Sequence, residues 1–303
     1  MPRPAGERAL RWTLKEGLTS PAFGPAMKLG QAVRSALPAA LKAKVPAPTG
    51  AQRWPTREHP RKVLLLLGCV QPAMMPNVNS ATARVLDAAG IQTLVADGAG
   101  CCGAIRLHLG DRDGAFDHMR RNIDAWWPMV QSGAVEAIVM NASGCGVTVK
   151  EYAHSLAHDP AYAKKASRIA DLTRDLSEML PDLVPALKAK VTSKGARLAF
   201  HPPCTLQHGQ RVRGMVETAL GEFGFEVRIA VNEAHLCCGS AGTYSVLQPE
   251  LANALRDRKL ANLDELAPSV IVSANIGCIQ HLQSGTTTPV RHWVEALDDA
   301  LAH

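Results

Sequence analysis

The sequence predicts an α/β protein of two tandem, duplicated cysteine-rich domains, each a small parallel sheet flanked by helices, with a helical N-terminal arm. Two observations carry this. The eight cysteines form two sets of four, Cys69, Cys101, Cys102 and Cys145, then Cys204, Cys237, Cys238 and Cys278, recurring at offsets of 135, 136, 136 and 133 residues. Around them each set repeats one order, strand, helix, strand, helix, strand, which reads as an internal duplication. The expected boundaries are an arm or connector over 1–60, a first domain over 61–160, a helical connector over 161–195 and a second domain over 196–303.

Taken in order, the arm predicts a helix around Arg8–Lys15 and another around Ala26–Lys44, broken by Pro21 and Pro25 and closed by VPAPTGAQRWP. KVLLLLG is a continuous apolar run of strand length, suited to a sheet covered on both faces, and Cys69 follows it. A helix over Val78–Ala89, the strand IQTLVAD, the Gly100-Cys101-Cys102-Gly103 turn, a helix over Leu107–Gln131 and the strand AIVM lead to the loop NASGCG with Cys145. A helical segment from Val147 to Leu187, interrupted near Pro160 and Pro181, precedes the second copy. There RLAFH, a helix over Leu206–Phe223, FEVRIA, Cys237-Cys238-Gly239, a helix over Pro249–Leu266, SVIVSAN and the loop IGC with Cys278 follow one another. Right-handed crossovers bring the cysteine-bearing loops of each copy to one carboxyl edge.

At 303 residues the chain can bury two cores without crosslinks. No secretory signal and no apolar run of spanning length occurs, so the reading is a cytoplasmic protein in which clustered cysteines are metal ligands or redox centres, not structural disulfides. Residues 1–62 hold twelve Lys or Arg against three acids, a charge of +9, and the remainder is −3. Such an arm suits an acidic partner or an anionic membrane surface, or is a solvated linker. Nucleic acid is not expected, because no aromatics interleave with the basic residues. No Ser-His-acid set, phosphate loop or dinucleotide fingerprint emerges, so no catalytic residue is assigned and no flavin or nicotinamide site is expected on this chain.

Four thiolates suit an iron–sulfur cluster and equally a structural zinc ion. Neither set has a Cys-x-x-Cys knuckle, and adjacent cysteines suit a multi-iron core better than one tetrahedral ion; redox-active or unmetallated thiols remain a third reading, since a vicinal pair can form a strained disulfide. His201, His208, His235 and His281 lie near the second set, in supporting or ligating roles. Trp126-Trp127 suits a partner anchor or a helix-end core.

The spacing of a cysteine, Cys-Cys-Gly and a further cysteine resembles the cysteine-rich CCG domain of heterodisulfide reductase and of many iron–sulfur oxidoreductase subunits. The words GCVQPAMMPNVNSATARVL, AGCCGA, NIDAWWP, ASGCG, HPPCTLQH, HLCCGSAGTY, ANIGC and VRHW are similar to the glycolate oxidase iron-sulfur subunit family over residues 8–297. The resemblance implies metal ligation by Cys69, Cys101, Cys102, Cys145, Cys204, Cys237, Cys238 and Cys278, with 4Fe-4S clusters, at most one per CCG domain. It also implies flavin-bearing partner subunits carrying FAD, electron transfer from 2-hydroxy-acid oxidation towards the membrane quinone pool, and a place in the cytoplasm, peripheral on the inner membrane face. Two departures stand out. The ferredoxin-like domain with which family members begin is not in this sequence, and Cys145 and Cys278 are single where heterodisulfide reductase has a Cys-x-x-Cys pair.

Overall fold

The computed structural model describes residues 3–42 and 44–302. Among these residues eight short strands form two four-stranded sheets: β1 Arg61–Leu65, β2 Ile91–Leu94, β3 Ala137–Met140 and β4 Thr173–Asp175, then β5 Arg197–His201, β6 Glu226–Arg228, β7 Val270–Ser273 and β8 Val290–His292. Their orders are β2-β1-β3-β4 and β6-β5-β7-β8, and every pairing is parallel. The repeated order is the fold-level form of the cysteine repeat.

Alternation along the strands explains how the sheets are joined. Val63, Leu65, Ala137 and Val139 on one face of the first sheet share a single core with Leu198, Phe200 and Val272 of the second. Leu64, Leu66, Ile138 and Met140 face a separate core with Met119, Ile123 and Trp126, while Ala199 and Ile271 face a third with Leu260, Leu263 and Ile279. Helix Leu176–Leu187 fills the shared core with Leu176, Leu180, Leu183 and Leu187, joined by Trp293, Val294 and Leu297 of the last helix. Polar ties cross the same boundary: Arg84 pairs with Asp298 at 2.6 Å and Asn77 donates to Glu295 at 3.0 Å.

Each domain has one strand more than expected. β4 and β8 are three residues long, and β4 lies in the segment read as a helical connector. Such edge strands carry no apolar run of their own; pairing to β3 and β7 makes them strands. The helix expected over Leu107–Gln131 divides into Ala104–His108 and Arg112–Gln131, because Gly110 turns left-handed at φ +85° and Asp111 caps the second piece. That over Leu206–Phe223 divides into a π-helical turn at Thr205–Gly209 and a helix at Met215–Glu222. Pro181 and Pro185 do not interrupt Leu176–Leu187, which runs through both.

The arm forms helices Ala5–Thr19, Phe23–Ala32 and Ala39–Lys42, with a 3-10 turn at Arg34–Ala36. Ala43, within the helix expected to Lys44, lies outside the described residues. Pro25 does not break the second helix, since it sits in the first turn, where the N–H it lacks would have no partner. The arm rests on both domains. Glu16 meets Arg106 at 2.6 Å and Lys15 meets Asp111 at 3.0 Å, Gln31 donates to the Ala73 carbonyl at 3.2 Å, and Lys44 donates to that of Ser245 at 3.3 Å. No described helix is long and apolar enough to cross a membrane.

Candidate metal centres

The carboxyl ends of the strands bring the cysteines together. Cys69 follows β1, the Cys101-Cys102 pair follows β2, and Cys145 stands in the first turn of helix Ser143–Lys150 after β3. In the second domain Cys204, the Cys237-Cys238 pair and Cys278 take the same places, Cys278 in the first turn of helix Ile276–Gln283. Cys145 and Cys278 are therefore helical and not in loops as expected. At that position they share the positive end of the helix dipole.

The thiols form two strings. Cys69 interacts with Cys101, Cys101 with Cys102, and Cys102 with Cys145; likewise Cys204 with Cys237, Cys237 with Cys238, and Cys238 with Cys278. All eight are free, with Cys101, Cys102, Cys238 and Cys278 buried and the others half-buried. Charge is shared unevenly. Hydrogen bonds from Cys102 and Cys69 hold Cys101 well below the usual thiol range, and those from Cys204 and Cys238 do the same for Cys237. The partners Cys69, Cys102, Cys204 and Cys238 are pushed up correspondingly. Cys278 is held down by Cys238, with help from His201 and Asn275.

Each Cys-Cys-Gly turn is built for this anionic sulfur. The Gly103 N–H donates to Sγ of Cys101 at 3.4 Å, and the Gly239 N–H to Sγ of Cys237 at 3.3 Å. Both glycines are left-handed, at φ +96° and +87°, and a Cβ would stand 3.0 Å from the Ala115 carbonyl oxygen or 2.2 Å from that of Ala252. Only glycine meets both demands.

The surroundings differ. In the first domain Asn122 accepts from the Gly100 N–H at 2.8 Å and donates to the Cys101 carbonyl at 2.9 Å, and the Tyr152 hydroxyl donates to that of Cys102 at 2.9 Å. Gln71, Asn79, Asn141 and Thr82 form a buried polar cluster behind the Cys69 loop. A cavity of about 30 Å3 adjoins this set, lined by Leu66, Cys69, Val70, Met140, Cys145 and, from the second domain, Ile276. In the second domain Lys259 stands seven residues after Ala252, as Asn122 stands seven after Ala115. It is 1% exposed and donates to the Glu233 carbonyl at 2.6 Å, with no hydrogen bond to a carboxylate. Burial pushes its ammonium down from its ordinary value, while Cys204 and Cys238 push it back.

Of the four histidines, His201 alone joins the thiols: its ring, Cys238 and Cys278 hold donor atoms within 4.8 Å of one another. His208 and His235 are exposed, and His281 is engaged with the Ala252 carbonyl at 3.0 Å. Trp126 is fully buried, a core residue and not a partner anchor; Trp127 beside it lies under Lys165. Sequence reasoning overlooked Asn122, Tyr152, Lys259 and Asn275. Asn122 and Asn275 lay within the words NIDAWWP and ANIGC without being singled out, and Lys259 left a signal of its own, a charge at buried-face spacing between Ala252 and Leu263.

Soft sulfur donors, amides aimed at sulfur and apolar walls fit a metal–sulfur group in each set. Fold and site define the class: a duplicated α/β protein with a four-thiol cradle on each sheet. Residues 63–150 and 198–283 match the family described as CCG, cysteine-rich domain. The chain is 46% identical over 301 residues to the glycolate oxidase iron-sulfur subunit of Escherichia coli (strain K12), covering 99% of this chain and 73% of that one. It is 28% identical over 234 residues to the "Probable glycolate oxidase iron-sulfur subunit" of Bacillus subtilis (strain 168), covering 74% of this chain and 50% of the relative. It is also 28% identical over 229 residues to lactate utilization protein A of Bacillus licheniformis, covering 73% of this chain and 90% of that one. The chain belongs to the cysteine-rich CCG-domain family and, within it, to the glycolate oxidase iron-sulfur subunit family.

Proposed function

We propose that this chain is an iron–sulfur electron-transfer subunit of a glycolate oxidase (2-hydroxy-acid dehydrogenase) complex, with at most one 4Fe-4S cluster per cysteine-rich domain. Cys69, Cys101, Cys102 and Cys145 would hold one, and Cys204, Cys237, Cys238 and Cys278 the other. The observation that carries this reading is the repeated string of four free thiols at the carboxyl edge of each sheet. A bound cluster supplies reversible one-electron storage, at a potential set by the charge and hydrogen bonds around its sulfurs. The chain's residues hold and shield the site: Gly103 and Gly239 donate to sulfur, and Leu66, Met140 and Ile276 keep water from the first set.

In this reading the chain is not catalytic alone. Flavin-bearing partners, carrying FAD, oxidise glycolate to glyoxylate, and the electrons pass through this subunit towards the quinone pool. Domain limits of 61–160 and 196–303 with a connector over 161–195 go with the reading, although β4 of that connector completes the first sheet. The location is cytoplasmic, peripheral on the inner membrane face. Arg3, Arg8, Arg11 and Lys15, around Trp12, make the arm a basic recess for an acidic partner or an anionic surface.

The test is anaerobic reconstitution with iron and sulfide, followed by metal analysis and EPR. The expected result is iron in both sets and signals lost on replacing either vicinal pair by serine. A folded sample without any iron-dependent signal would overturn the reading. A second reading, direct thiol–disulfide chemistry, is favoured by the thiolate character of Cys101 and Cys237. It requires the purified chain, without flavin partners, to reduce a disulfide to two thiols while its own vicinal pair becomes a disulfide, and Cys102→Ser or Cys238→Ser to abolish this.

A further inference from the structure

The two sites are alike in sulfur and unlike in nitrogen. His201 stands three residues before Cys204, where Leu66 stands three before Cys69. Its ring is buried, and neither Nδ1 nor Nε2 meets a nitrogen or oxygen partner; the polar groups it faces are the thiols, and after Cys238 it helps to hold Cys278 down. A buried ring with sulfur as its only polar company is costly unless something further binds it. Yet this ring lies against Cys238 and Cys278, the one such trio of metal-ligating groups among the described residues. No histidine of the first domain is in that position: His118, near Cys101, already accepts from Arg106 Nε at 3.1 Å.

We infer that His201 is a metal ligand of the second site beside Cys237, Cys238 and Cys278, taking the place that Cys204, the half-buried outermost thiol of the string, would otherwise fill, so that the centre is mixed imidazole–thiolate beside an all-thiolate first site. This rests on the metal–sulfur reading above. A neutral imidazole in place of a thiolate removes one negative charge from the centre, which favours the reduced state, and histidine for cysteine raises the potential of such clusters. Lys259, a buried ammonium near Cys204 and Cys238, acts in the same direction, and its counterpart in the first domain is the neutral Asn122. The second site is thereby the more oxidising of the two, and electrons shared between the sites rest there.

The experiment is pulsed EPR of the reduced, reconstituted chain, prepared unlabelled and with 15N-histidine, alongside a redox titration. The expected result is one strong imidazole nitrogen coupling that changes with the label and disappears in His201→Leu, which reproduces the first-site residue. The higher of two midpoint potentials should shift negative in that variant. His201→Gln serves if the leucine variant fails to fold, and Leu66→His should add a second nitrogen coupling. Iron signals with no histidine coupling, or a coupling that survives both His201 variants, would overturn the inference and leave the cluster reading intact; no iron signal in folded protein overturns both.

Discussion

The side chain of Asn275 accepts the backbone N–H of Gly144 at 3.3 Å and donates to Sγ of Cys278 at 3.7 Å, so that one residue of the second domain holds the ligand helix of both. The neighbouring Ser143 N–H donates to the Ala274 carbonyl at 3.0 Å, and its hydroxyl pairs with Thr205 at 2.7 Å. The two thiol sets are thus parts of one boundary, not separate beads. Asn275→Ala removes an inter-domain bond and an N–H···S bond, an expected loss of about 1–2 kcal/mol in urea unfolding. Asn275→Asp keeps an acceptor for the Gly144 N–H but loses the N–H···S bond and sets a carboxylate beside the Cys278 thiolate. It should lower the metal affinity of the second set more than the alanine variant does, read by competition with a chelator.

The Cys-Cys-Gly turns differ in tolerance. At Gly103 an alanine Cβ meets the Ala115 oxygen at 3.0 Å, a contact relieved by a small shift, whereas at Gly239 it meets the Ala252 oxygen at 2.2 Å. Left-handed strain of about 1–2 kcal/mol applies to both. Gly103→Ala should therefore lower stability by roughly that amount. Gly239→Ala should lower it by clearly more and empty the second set of metal first. Equal losses in the two variants, measured by denaturant titration and iron content, would contradict this geometry.

Much of this was legible in the sequence because duplication repeats it. RLAFH and AIVM coincide with β5 and β3, since both are apolar runs buried on two faces of a parallel sheet. The cysteine sets were legible as sets for the same reason. The edge strands β4 and β8 were not, because their strand character comes from pairing, whereas the equally short β6 lies in the apolar-alternating FEVRIA. Nor was the shared core, since Leu176, Leu180 and Leu183 read as an ordinary amphipathic helix until two sheets cover it. His201, named among four histidines, could be singled out only once a fold placed it against Cys278.

Acid should loosen the boundary between the domains through His292. Its Nε2–H donates to the Asn141 carbonyl at 2.9 Å, and Nδ1 accepts the Val294 N–H at 3.1 Å, so the folded ring must be neutral. Burial holds its pKa at about 3, below the ordinary 6.5. The unfolded chain then binds the extra proton, and stability falls as pH drops from 6.5 towards 3 by up to roughly 1.4 kcal/mol per pH unit. Asp175 works against it. Burial raises its carboxyl to about 6 from 3.8, so the folded state binds the proton more tightly and stability from this group rises as pH falls between those values. Urea midpoints at pH 8, 5 and 4 should show a net acid loss that shrinks in His292→Gln and deepens in Asp175→Asn. An unchanged pH profile in His292→Gln would remove the histidine from the account.

Lys259 gives the sharpest contrast between empty and loaded protein. A buried ammonium with no carboxylate bonded to it is costly unless anions compensate, and those acting on it are the thiols of Cys204 and Cys238, the Glu233 carboxylate and Cys237. Lys259→Met keeps the stem and removes the charge. In the metal-free chain Cys204 and Cys238 are pushed up and stay protonated, leaving the Cys237 thiolate and Glu233 as partial compensation, so the variant should be as stable as the parent or more so, by up to about 1–4 kcal/mol, because most of the buried charge is uncompensated. In the loaded chain the order should reverse, with faster metal loss from the second set and a negative shift of its midpoint potential, while the first set, held by Asn122 and Tyr152, is unaffected. Denaturant titrations of both forms, paired with chelator-driven release, read this reversal. A variant destabilised equally with and without metal would reduce Lys259 to a packing residue bound to the Glu233 carbonyl.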